Sequence, residues 1–446
     1  MMLVVLLDTI TIIISTYLFI KNVKKIGLST RYIVYYFFFF IMVLPIFLDY
    51  IVGKPVYNSW LLGSKHYGFI ASYDDSITRI IYDAFVMWFQ YIILYYKRNI
   101  ELEEYYYEHR NQSVINLNSR TKKGIYFSLI LLAFLPIILV IICPINNNIL
   151  FHLGWREQNL FGAASSEFYY SIEKLSYVGL ISSLLLVLSK SKEFLNIHGK
   201  VQLFLFRCLK PVWILLVYCN VCIESKRSIL IFCMAVLITY LIDAVPKNKM
   251  GWVILVSGIA VALIISISVY VKIVYRDYSA GAFDALYTTL RIDYFRDDTT
   301  KMLIYSLFDK QFKVLAYPFQ SYLMQIGFIF PLDYLGTPRL GYNTYFTCAL
   351  VNAPLSSGLS NTTTSMYDEL IANFGLLGCI IAPFITLKIT KIADKQSTIL
   401  KTFVIAGYVL MVMYSLNYIM WFLEITVFLL FLAKYRFKVG DRYLFR

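Results

Sequence analysis

The chain has 446 residues, of which 59% are hydrophobic, 17% aromatic and only 15% charged. Soluble domains run nearer about 45–50% apolar and about 25% charged, so a soluble enzyme is excluded and an all-α polytopic integral membrane protein is expected. The net charge of +14 would suit nucleic acid if it formed a patch, but the lysines and arginines fall in alternate connections between apolar runs, and no nucleic-acid partner is expected.

In chain order, apolar runs occupy roughly 3–20, 32–52, 79–96, 125–145, 172–188, 208–223, 228–245, 251–271, 366–387, 399–416 and 418–433. Each approaches the ~20 residues that cross a ~30 Å hydrocarbon core, giving about eleven spans. The first run lacks the basic leader and small-residue cleavage site of a secretory signal, so it is expected to remain as a helix. The FFFF run at 37–40 is part of the second span, and no fixed-period repeat is evident. Of the seven cysteines, only Cys348 lies in a long polar stretch, so no disulfide is expected; Cys219 and Cys222 read as small packing residues.

Lys21, Lys24, Lys25 and Arg31 crowd the first connection, and the segments 97–124, 189–210, 246–250, 388–401 and 434–446 are similarly basic. The intervening short connections hold only Lys54, Lys65, Arg79, Arg156, Lys174, Lys226 and Arg227. By the positive-inside rule, the crowded segments are cytoplasmic, the N-terminus is outside and the C-terminus is inside. The outsized polar segment 272–365 is then external, and residues 1–446 form a single transmembrane helical domain around it. Residues 315–330 are apolar enough to suggest another span. A crossing there would place Lys388, Lys391, Lys395 and Lys401 outside, so an interfacial or re-entrant helix is expected instead.

Within 272–365, Phe283, Leu286, Tyr287, Leu290 and Tyr294 recur at helical spacing, and Arg296 can pair with Asp293. The stripe reads as an ion-paired helix on the membrane, or as a scaffold whose arginines grip a diphosphate, which the planar guanidinium binds in bidentate fashion. Arg276 follows the eighth span directly and reads equally as an interfacial anchor or a diphosphate contact. Glu224 and Arg227 share a short external turn and can neutralise each other. Asp8, Asp49, Asp83, Asp243 and Glu424 fall within or near span ends, where a carboxylate at mid-membrane costs ~2.5–3.5 kcal/mol. Asp83 is expected to pair with Arg79, whereas Glu424 has no partner nearby in sequence and keeps a proton-coupled transporter open. HExxH, P-loop, dinucleotide and DxD patterns are absent; Asp74-Asp75 and Asp297-Asp298 are adjacent pairs, so no metal site and no cofactor is expected.

At 358–378, the small polar run Gly-Leu-Ser-Asn-Thr-Thr-Thr-Ser leads into Glu369-x-x-x-Asn373-Phe374-Gly375-x-x-Gly378 as a span begins after the large external segment. This pattern resembles the bacterial O-antigen and capsule repeat-unit polymerases, the Wzy family, as do Lys226-Arg227-Ser228 ahead of the seventh span and Arg276 after the eighth. The spaced Arg-to-Gly repeats of some members are not present. The resemblance implies a GT-C-like helical bundle in the bacterial inner membrane, with 272–365 as a large periplasmic loop. It implies that a growing glycan is transferred from undecaprenyl diphosphate to a new lipid-linked repeat unit. Partners would be those lipid-linked oligosaccharides, membrane lipids and a chain-length regulator protein. Glu369 would be the base or acceptor-orienting residue with Asp368 in reserve, and Arg227, Arg276 and Arg291 would contact the diphosphate. Arg156, Arg296, Arg339 and Asn373 would be further substrate contacts. Gly375 and Gly378 are expected to permit close helix packing. Three other functions fit the architecture: a flippase of the same repeat units, an O-antigen ligase, and a sensor or scaffold with no catalysis. Segment 272–365 lacks the loop histidine typical of ligases.

Overall fold

The computed structural model describes residues 2–26, 28–52, 75–108, 130–134, 286–287, 290, 294–308, 314–321, 323, 341–351, 354–355, 364–395, 398–414, 438–439 and 442–443, with single helical residues between 252 and 266. It is helical: α1 (Met2–Asn22), α2 (Thr30–Phe38), α3 (Leu44–Val52), α4 (Ser76–Leu94), α5 (Ile100–Glu108), α6 (Asp297–Phe308), α7 (Tyr342–Val351), α8 (Met366–Phe374), α9 (Leu376–Asp394) and α10 (Thr398–Tyr414). An antiparallel pair of two-residue strands, Lys438–Val439 with Arg442–Tyr443, is the exception among the described residues. Two compact units emerge, one comprising Met1–His109, Tyr287–Lys395 and Gly407–Phe422, the other Arg110–Leu286, Gln396–Ala406 and Leu423–Arg446. The first unit carries the features relevant to function.

Four helices are long and apolar enough to cross a membrane: Met2–Asn22, Thr30–Ile51, Ser76–Leu94 and Leu376–Asp394. The patterning of α1 is inverted relative to a soluble bundle. In α1 the buried stripe is Val4, Asp8, Thr11, Ser15, Leu18 and Asn22, while Ile13 and Ile20 are 62% and 67% exposed. Polar residues at helical spacing face the protein and branched apolar residues face outward, as expected of a helix whose surroundings are hydrocarbon. Buried polar groups join the helices: Gln90 Nε2 donates to Ser15 Oγ at 2.7 Å, and the Tyr35 hydroxyl donates to Ser15 O at 3.1 Å. Phe38 stacks on Phe89 at 3.7 Å, tying α2 to α4.

A π-helical turn at Phe39–Val43 joins α2 to α3. Pro45 explains it: having no N–H, it leaves the carbonyl four residues back without its helical donor. That carbonyl, Ile41 O, accepts instead from the Arg296 backbone N–H at 3.1 Å. The neighbouring Met42 O accepts from the Tyr82 hydroxyl at 2.7 Å. The turn thus anchors both α4 and the entry to α6.

The span predicted over 366–387 is instead two helices broken at Gly375, with the membrane-length portion starting at Leu376. Gly375 has φ 61° and ψ −143°, a conformation that side chains oppose. Gly378 is needed for a different reason: an added Cβ would stand 2.6 Å from Ile371 Cα and against the Leu370 carbonyl. Close packing therefore explains Gly378 alone, and Gly375 serves the elbow.

Within the first unit the helix ends gather into two poles. At one, the Thr30 N–H and hydroxyl each donate to Asp394 Oδ1 at 2.9 Å. Arg31 Nε lies 3.7 Å from Glu103, and its Nη1 donates to Tyr96 O at 3.2 Å. Arg98 lies 3.4 Å from Glu103. Burial pushes the Glu103 carboxyl up, while Arg98 and Arg31 oppose the shift. The other pole is acidic.

Candidate functional site: an acidic pole at a helix elbow

The acidic pole draws on the C-terminal end of α3, the first turns of α4, α6 and α8, and on Tyr287 and Tyr342. The N-cap of α4 is Asp75, whose Oδ2 accepts from the Thr78 N–H at 2.8 Å, so one aspartate of the Asp74-Asp75 pair has a structural role. One turn into α4, Arg79 donates to Asp8 of α1 and, at 3.3 Å, to the Tyr50 hydroxyl. The expected pairing of Arg79 with Asp83 is therefore overturned. Asp8 lies on the buried stripe of α1 and captures the guanidinium, leaving both Asp83 oxygens buried without a hydrogen bond.

Lys301 organises the centre. Its Nζ donates to Asp297 Oδ2 at 2.9 Å, lies 3.9 Å from Asp49 Oδ2 and stands 4.9 Å from the Tyr82 ring centroid. The second Asp49 oxygen accepts from the Tyr287 hydroxyl at 2.6 Å. Lys301 is 3% exposed and Asp297 fully buried, so this pair forms where water screens little. Asp83, Asp297, Asp298 and Asp368 all lie near the buried Tyr82, and Asp49 lies beside Lys301, so at this pole the described carboxylates outnumber the described cations Arg79, Arg296 and Lys301.

The first turn of α8 is fixed by a capping box. The Ser365 hydroxyl accepts from the Asp368 N–H at 3.2 Å, and Asp368 Oδ2 accepts from the Ser365 N–H at 2.7 Å. Asp368 Oδ1 takes the Thr300 hydroxyl of α6 at 2.6 Å. Burial pushes this carboxyl up, and those donors partly offset the shift. Glu369 follows at 2% exposed, its N–H donating to Ser365 O at 3.1 Å. The Tyr342 hydroxyl is buried without a hydrogen-bond partner, and burial, then the fields of Asp368 and Glu369, push it well up. Asn373 brackets the elbow: its Nδ2 donates to Glu369 O at 2.7 Å, and its Oδ1 accepts from the Phe319 N–H at 2.6 Å. Phe319 has φ 56°, unusual for an aromatic residue, and its ring lies 5.8 Å from that of Phe374.

Of the residues predicted from the sequence, Asp368, Glu369 and Asn373 lie together on α8, and Asp368 is joined to α6 through Thr300. Arg296 precedes α6 at 1% exposed; its Nε donates to Met413 O at 3.0 Å and its Nη1 to Phe295 O at 2.6 Å. Those bonds serve the protein's own carbonyls. Arg156, Arg227, Arg276, Arg291 and Arg339 lie outside the described residues, as do Asp293, Asp243 and Glu424. The helix expected over 315–330 is described only to residue 323; there it is a bend and turn from Val314 with helical residues from Gln320. Sequence reasoning missed the Asp49–Lys301–Tyr287 linkage, because no local spacing relates α3 to α6. No group of His, Cys, Asp or Glu among the described residues could hold a metal ion.

No protein-family model, curated protein or solved structure matches the chain.

Proposed function

We propose that the chain is a membrane glycosyltransferase that polymerises lipid-linked oligosaccharide repeat units of an O-antigen or capsule. The reading places it in a bacterial inner membrane, with about eleven spans, the N-terminus and segment 272–365 on the periplasmic face and the C-terminus in the cytoplasm. The observation that carries it is the elbow at Gly375. A helix holding Asp368, Glu369 and Asn373 in fixed geometry leads directly into a membrane-length helix, so buried carboxylates stand at the foot of a span. A lipid diphosphate would lie at such a boundary.

The chemistry needs two kinds of group. The leaving group is already an undecaprenyl diphosphate, and Arg227, Arg276 and Arg291 would stabilise the charge that develops on it, with Arg156 and Arg339 as further contacts. The acceptor hydroxyl needs orientation and an acceptor for its proton, and Glu369 supplies a carboxylate that serves as base or as the acceptor-orienting residue. Asp368 is bonded to Thr300 and Ser365, which suits it to fixing α8. A chain-length regulator would act on this enzyme as a separate partner.

The test is deletion followed by complementation. Cells lacking the protein are expected to carry surface glycans one repeat long, restored by the wild-type chain and not by Glu369→Gln at equal protein level. Complete loss of surface glycan would identify a flippase. Single repeats missing only from the final acceptor would identify a ligase.

A further inference from the structure

Among the described residues, Asp83 is the only carboxylate with both oxygens buried and neither hydrogen-bonded; the residue is 4% exposed. Arg79 and Lys301 are its charged neighbours, and each is engaged elsewhere. Arg79 bonds Asp8 and Tyr50, while Lys301 bonds Asp297 and lies near Asp49. Burying a carboxylate without donors is costly, and replacing it by a neutral residue would relieve that cost. A protein retains such a group when the missing partner arrives from outside.

The position is within one helical turn of partly exposed side chains. Asp83 lies one helical turn beyond Arg79, whose side chain is 21% exposed. Tyr50, beside Arg79, is 46% exposed. A hydroxyl passing Tyr50 and Arg79 meets an acceptor with both oxygens vacant. Lys301 and Arg79 stand near it without hydrogen-bonding it, so the lone pairs of both oxygens stay free.

We propose that Asp83 receives a hydroxyl of the acceptor sugar and takes its proton during transfer, an assignment that rests on the glycosyl-transfer reading above. As the acceptor oxygen bonds to the donor's anomeric carbon, the bond from that carbon to the lipid diphosphate breaks, and its electron pair leaves on the diphosphate. The acceptor's proton passes to the Asp83 carboxylate, which later releases it to water beside Tyr50. Glu369 then orients the acceptor.

The experiment compares deletion cells complemented with the wild-type chain, Asp83→Asn or Asp83→Glu. Surface glycan length is read on a gel at matched protein level, and thermal unfolding is read on each purified protein in detergent. Asp83→Asn is expected to reduce glycans longer than one repeat at least tenfold, with a midpoint equal to or above wild type. Asp83→Glu is expected to restore part of the length. Long glycans with Asp83→Asn would overturn the assignment while leaving the polymerase reading intact. A lowered midpoint, or failure of Asp83→Asn to accumulate, would also overturn it, because a structural carboxylate behaves that way. Normal glycans in the deletion cells would overturn both.

Discussion

The two poles of the first unit use the same residue types to different ends. At the basic pole Arg31 and Arg98 both pair with Glu103, and Asp394, held by Thr30, adds a second carboxylate near Arg31. At the acidic pole Lys301 answers Asp297 and Asp49, Arg79 answers Asp8, and Asp83 is left over. Paired charge stitches helix ends together. Surplus buried charge works against the fold, so the pole that carries it is the one where a ligand is to be sought.

The sharpest way to break this contrast is to unbalance the basic pole. Arg31→Met leaves Glu103 to Arg98 alone and removes the donor to the Tyr96 carbonyl. Loss of one partner of a buried pair is expected to cost about 3 kcal/mol, read as a lower unfolding midpoint in detergent. Glycan length per accumulated molecule is expected to stay unchanged. A variant of normal stability that made short glycans would erase the division of labour between the poles. A smaller effect is expected at the elbow. Gly378→Ala forces a Cβ toward Ile371 Cα and the Leu370 carbonyl, costing about 1–3 kcal/mol. Because that contact sets α8 against α9, glycan length should fall as well. Unaltered length with reduced stability would show that Glu369 needs no such placement.

Much of the fold was legible where a residue's role is local. Apolar length marked α1, α2–α3, α4 and α9, whereas the capping box of Ser365 and Asp368 emerged only from the structure. The break at Gly375 was not legible, since hydropathy runs through it without interruption and only a backbone conformation reveals it. Pairing across helices was read wrongly for the same reason. Arg79 and Asp83 are four apart on one helix, yet Asp8, distant in sequence, captures the guanidinium. Glu369 and Asn373 were singled out by the resemblance at 358–378, but the linking of Asn373 to the Phe319 turn depends on a contact between residues 54 apart.

The central claim of the proposal is that the acidic pole faces the outer side, where the proposed lipid-linked substrates would be met. Thr344 lies two residues beyond Tyr342, whose hydroxyl is buried in the field of Asp368 and Glu369. The direct measurement is labelling of a Thr344→Cys protein by a membrane-impermeant maleimide, against the wild-type chain as blank. Labelling of intact cells once the outer membrane is permeabilised is the predicted result. Labelling only after the inner membrane is broken would contradict the account.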